Sequence, residues 1–138
     1  MTTHRSTISV LRFSAGPLRL GVAAEDVVAV MAARADIPHI ARLFGVEPGR
    51  NDLERRTIQV TTAAEGQGSE PCLTAFQADF PVEVVRCGFE DVLPMGPWLE
   101  CGRLRPVMGF ARIDDETLVL LDIPSVVDML QKREGGTS

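Results

Sequence analysis

The sequence predicts a mainly β protein of the barrel or sandwich class, closed by one amphipathic helix. Three observations predict it. Apolar residues fall in about eight short runs, several alternating with period two, with Gly, Pro or acidic turns between them. Strands do not alternate with long helical patterns as βαβ units would require. Sustained helical spacing occurs only at the C-terminal end. A chain of 138 residues has the size of one domain and can bury a core without disulfide or metal staples.

The elements follow in order. Val10 to Phe13 reads as a short strand, and "SAGP" as a turn. In "PLRLGVA", Leu18, Leu20 and Val22 alternate with Arg19, Gly21 and Ala23, so a second strand forms a hairpin with the first. "EDVVAVM" is a third β-branched run, and the first thirty residues are expected to form a three-stranded meander. In "DIPHIARLFGVEPG", Ile40, Leu43 and Phe44 have helical spacing and Gly45 stops it, which predicts a short helix near 40–45. "RTIQVTT" is a strand, and "AAEGQGSEP" an extended hairpin loop. "CLTAFQA" and "PVEVVRC" read as two strands, and "GFEDVLPMGPWLECGRLRP" as irregular. "PVMGFARI" and "ETLVLLD" form a hairpin across an acidic turn. From Ile123, apolar residues recur at Val126, Val127 and Leu130, so a helix is expected over 123–133. Asp122 is its N-cap, with the capping bond directed to Ser125 because Pro124 has no N–H.

Composition excludes several functions. The net charge is −5 and the basic residues are scattered; the densest group, Arg50, Arg55 and Arg56, is interrupted by Asp52 and Glu54. Aromatics number six Phe, one Trp and no Tyr, too few for a base-stacking surface, so no nucleic-acid partner is expected. No apolar run approaches the ~20 residues of a membrane span, and no signal peptide is visible. Three cysteines without a CxxC pair fit a reducing cytoplasm. No GxSxG, GxGxxG, P-loop or HExxH motif occurs. Of the two histidines, His4 lies in the terminus, and His39 reads as a partly exposed polar residue at the start of the helical turn. Sequence spacing leaves a Cys–His nucleophilic pair open, because such partners meet in space. No catalytic residue, metal ligand or cofactor site is expected.

The order of elements resembles the CheW-like family of bacterial chemotaxis coupling modules. The closing stretch "VMGFARIDDETLVLLDIPSVVDML" carries the likeness best, through Gly109, Asp114–Asp115, Leu118 to Leu121 and Asp122 before a terminal helix. "IPHIARLFG" and "FEDVLPM" look like two further family segments. The resemblance spans roughly residues 8–131. It implies two packed SH3-like β-barrel subdomains in a single domain, 8–133, with flexible termini at 1–7 and 134–138. The chain departs from the family before Ile37, where "VMAARADIPH" runs almost directly across a segment that is longer in typical members, so the first barrel is expected to be truncated. "AFQAD" stands where a Val-Asp pair is usual.

The resemblance implies a non-enzymatic cytoplasmic scaffold recruited to receptor arrays. Its partners would be a CheA-type histidine kinase, a methyl-accepting chemoreceptor or another CheW-like protein. The candidate contacts are Trp98 and Leu99, because a loop Trp suits an interface, together with His39, Arg42 and Phe44; the competing reading of Trp98 is a cap on one barrel's core. Two other readings compete with it: a small-ligand-binding or enzymatic β-barrel with a deep polar pocket, and a structural homo-oligomer.

Overall fold

The computed structural model describes residues 6–50, 52–62, 72–94 and 106–134. β1 (Thr7–Ala15) and β2 (Leu18–Ala23) form the expected hairpin, with Gly16 at φ 58° in the two-residue turn. β1 is longer than the apolar run suggested, because polar Thr7 and Ser9 also pair in the ladder. β3 (Val27–Ala32) does not complete a meander. It pairs antiparallel with β4 (Arg56–Thr62), after a 3-10 turn at Ala24–Asp26. The other edge of β2 is taken by a distant parallel strand, β8 (Glu116–Leu121). α1 (Ala41–Phe44) ends at Gly45 in the left-handed conformation, φ 66°, as the glycine stop predicts.

The two strands expected at residues 72–87 are one, β5 (Cys72–Gly88). Its first half pairs with β4, from Thr62↔Cys72 to Arg56↔Ala78. Its second half pairs with β1, from Ser14↔Asp79 to Thr7↔Gly88. Pro81 follows a cis peptide bond and does not end the strand. It lies between the Asp79 and Glu83 rungs, where β1 shifts register, so no ladder bond needs the N–H that proline lacks. The stretch read as irregular contains a 3-10 turn (Phe89–Asp91) and β6 (Val92–Pro94), which pairs with β7 (Val107–Ile113). β7 and β8 (Glu116–Leu121) form the expected hairpin. Asp114 and Asp115 turn it at φ 50° and 62°, the two positive angles of a type I′ turn, which Asp tolerates better than most residues.

The ladder order is β3-β4-β5-β1-β2-β8-β7-β6. Among the described residues the two ends do not pair, so the sheet is not closed into a barrel. The expectation of closed barrels is corrected here, because β5 and β1 carry the ladder continuously from one half to the other. Two hydrophobic cores remain distinct. The larger joins Phe13, Leu20, Ile58 and Phe76 with Ile40 and Leu43; the rings of Phe13 and Phe76 meet at 5.5 Å and 49°. The smaller contains Val10, Cys87, Ala111, Ile113, Leu118 and Leu120.

α2 (Ile123–Glu134) follows β8 but fills the larger core. The face read from the sequence, Ile123, Val126, Val127 and Leu130, is buried throughout. Each such side chain contributes roughly 1.5–3 kcal/mol by leaving water. The Asp122 carboxylate accepts the Ser125 backbone N–H at 3.3 Å and its hydroxyl at 2.6 Å. The Asp122 carbonyl accepts the Val126 N–H at 3.0 Å. Asp122→Ala is therefore expected to cost about 0.5–2 kcal/mol in urea unfolding, with partner binding unchanged for the folded fraction.

Candidate functional site: a buried polar knot and an apolar groove

After β3 the chain runs back along β5. Gln77 N–H donates to the Pro38 carbonyl at 2.8 Å, and Ile40 N–H to the Gln77 carbonyl at 2.9 Å. The Gln77 amide reaches the carbonyls of Ile37 (2.7 Å) and Arg34. This seam carries His39 inside, to 5% exposure. The expected partly exposed His39 is thus corrected: β5 pairing, invisible in the local pattern, buries it.

His39 meets Asp79, which sits in β5 where β4 pairing hands over to β1. One Asp79 oxygen accepts the backbone N–H groups of Gly16 (2.8 Å) and Gly49 (2.6 Å). The other accepts His39 Nε2 at 3.0 Å and has Arg55 Nε 3.6 Å away. Arg55 in turn donates to the Gly49 carbonyl at 2.8 Å. Glycine is required at both turns. A Cβ on Gly16 would lie 2.0 Å from the Glu47 carbonyl oxygen, and one on Gly49 2.9 Å from the Asp79 carboxylate. The knot therefore ties the β1–β2 turn, the 39–49 segment and β4's approach to the middle of β5.

A His–Asp pair has the geometry of a general base, but a base must present a ring nitrogen to substrate. Here Nδ1 accepts the Ala41 N–H at 3.0 Å, which places the proton on Nε2, facing Asp79. Both nitrogens are committed within the fold, so neither is presented to a substrate. Burial lowers the His39 pKa, against the raising effect of Asp79, and the Arg55 and Arg42 charges lower it further. Burial opposes ionisation of Asp79, but the Gly16, Gly49 and His39 bonds outweigh it and hold the carboxyl below its ordinary value.

The consequence for pH has two limbs. The unfolded chain takes up the His39 proton first, so stability falls as pH drops below 6.5. It falls further below 3.8, where the unfolded Asp79 protonates before the folded one. Each group adds a slope of at most about 1.4 kcal/mol per pH unit. Urea midpoints between about pH 8 and pH 3 should show both limbs, and His39→Gln should remove the upper one.

A second feature lies on the other half. An apolar groove of ≈ 510 Å³ is lined by Ile8, Ala23, Phe89, Val92, Met108 and Leu120, with Thr7, Ser9 and Glu25 at its polar positions. Phe89 is 57% and Met108 53% exposed. Ile8 and Val92 pack against the smaller core, so the groove floor is continuous with it. Cys87 is buried in that core, and burial, with the nearby Asp91 charge, pushes its thiol pKa up, as for an inert cysteine.

Among the sequence-predicted contact residues that are described, His39 and Arg42 line one cleft. Trp98 and Leu99 lie outside the described residues. His39 is buried in the knot, Arg42 is exposed at the mixed polar and apolar cleft of ≈ 370 Å³, and Phe44 packs partly buried against the larger core. Sequence reasoning missed Asp79, although a lone acid inside "LTAFQADF" was the available signal. It also missed the groove, because exposed Phe89 and Met108 look like core residues in a linear pattern. Among the described residues no group of three or more His, Cys, Asp or Glu is placed to hold a metal, and no helix is long and apolar enough to cross a membrane.

No protein-family model matches the chain, and no curated protein matches it. Its fold is similar to that of the scaffolding protein TtCheW from Thermoanaerobacter tengcongensis, with a TM-score of 0.63, 16% sequence identity and 89% of each chain covered. The fold is CheW-like. In this CheW-like fold the knot fixes the larger-core half, while the groove leaves apolar surface of the smaller-core half open to solvent.

Proposed function

We propose that the chain is a non-enzymatic CheW-like adaptor of a bacterial chemosensory system, acting in the cytoplasm. It docks a partner's apolar side chains in the groove between Ile8, Phe89, Val92 and Met108. The partner is a CheA-type histidine kinase, a chemoreceptor cytoplasmic tip or another CheW-like protein. The observation that carries the reading is an exposed apolar groove on a CheW-like fold, rimmed by polar groups as protein-binding sites are. The fully committed His39–Asp79 pair supports the absence of catalysis.

Pull-down and calorimetry against the three partner classes test it. Phe89 is exposed, so Phe89→Asp should leave the melting temperature nearly unchanged and weaken binding at least tenfold, about 1.4 kcal/mol. If none of the three binds at micromolar concentration, the adaptor reading is wrong.

A further inference from the structure

The two ends of the ladder differ. β6 has three residues and ends in Pro94, a short edge of the kind that resists further pairing. β3 has six residues, "VVAVMA", with no charge and no proline, and among the described residues its outer edge is unpaired. A bulge near Val28 interrupts its pairing with β4, but Ala29 to Ala32 are regular. Val28, Val30 and Met31 are 54%, 44% and 38% exposed. Proteins usually blunt such an edge with lysine or proline. Here neither is present, and the backbone donors and acceptors are aligned for another strand.

The charges flanking this strand point to its occupant. Glu25 and Asp26 precede β3, and Arg34 follows it. Arg34 pairs with Asp36 at 3.0 Å, but both side chains are more than half exposed, so this contact is weak and exchangeable. A second β3 laid parallel would set acid beside acid. Laid antiparallel with Val30 opposite Val30, it pairs Ala29 with Met31 in the regular stretch and turns the acidic end of each strand, Glu25 and Asp26, toward the Arg34 end of the other. Val30, on the rung of the fully buried Ile58, is itself 44% exposed, so the pairing would cover its side chain.

We infer that a second copy of this chain docks on β3 by antiparallel strand addition, across a twofold axis at Val30. The contact is closed and isologous, so it stops at the dimer. It does not depend on the adaptor reading, because it uses neither the groove nor a signalling partner. One six-residue strand buries less than a standard interface, which sets the expected affinity in the micromolar range.

Sedimentation velocity of the full chain across the micromolar range tests it. The wild type should pass from monomer to dimer. Val30→Lys, which opposes two ammonium groups at the axis, should weaken the dimer at least about tenfold. Arg34→Glu, at an exposed position, should weaken it without affecting folding. Adding Glu25→Arg and Asp26→Arg to Arg34→Glu should restore it, because the reversed charges again face their opposites. A wild type that stays monomeric, a dimer indifferent to Val30→Lys, or a triple variant that is not rescued would each overturn the inference. Failure of the Phe89→Asp binding test would leave it standing.

Discussion

Asp79→Ala is expected to destabilise the protein by about 3–5 kcal/mol, a large share of the roughly 5–15 kcal/mol that holds a domain together. The carboxylate is 8% exposed and serves three donors, the Gly16 and Gly49 N–H groups and His39 Nε2. Truncation strands all three and removes a negative charge 3.6 Å from the Arg55 guanidinium. Each buried donor without a partner costs about 1–3 kcal/mol, partly relieved by any water that enters. Asp79→Asn keeps one acceptor oxygen and should cost less. Urea unfolding gives the numbers. A loss below about 1 kcal/mol for Asp79→Ala would mean that the knot does not hold these segments together.

Gly21→Val is expected to cost about 3 kcal/mol, through overpacking. β2 lies between the two cores: Leu20 and Val22 face the larger one, and Gly21 faces the smaller. A Cβ at position 21 would approach Val10 Cγ1 to 2.7 Å and Leu120 Cδ2 to 3.3 Å. Those side chains belong to the smaller core and have little room to move. Gly21→Ala should be milder, because it adds one carbon where valine adds three. Thermal melts of the pair should rank Val below Ala below wild type. A Val variant as stable as wild type would show that β2 is not packed on both faces.

Both sites teach the same point about legibility. In "PLRLGVA" the alternation put Leu20 and Val22 on one face and Gly21 on the other, with no sign that both faces are buried. Local alternation assumes one buried face, and the parallel pairing of Gly21 with Leu120, a hundred residues on, buries the second. His39 failed for a similar reason. Its neighbours predicted the helical turn and its glycine stop, yet only the bridge to Gln77 carries the ring inside. The break expected at Pro81 was absent because proline falls where β5 changes partners.

What the sequence by itself determined was everything that depends on near neighbours. The two hairpins, the Gly45 stop, the Asp122 cap and the buried face of α2 rest on backbone propensity, turn chemistry and periodicity within a few residues. The mainly β class and the resemblance in element order followed from those same units. Tertiary structure alone decided that β3 joins β4, that β5 is continuous, that the sheet stays open, and that Asp79 gathers donors from three distant segments. Strand pairing and buried hydrogen bonding depend on which edges and unsatisfied groups meet in space. Residues 16, 39, 49 and 79 carry no mutual periodicity from which that meeting could be read.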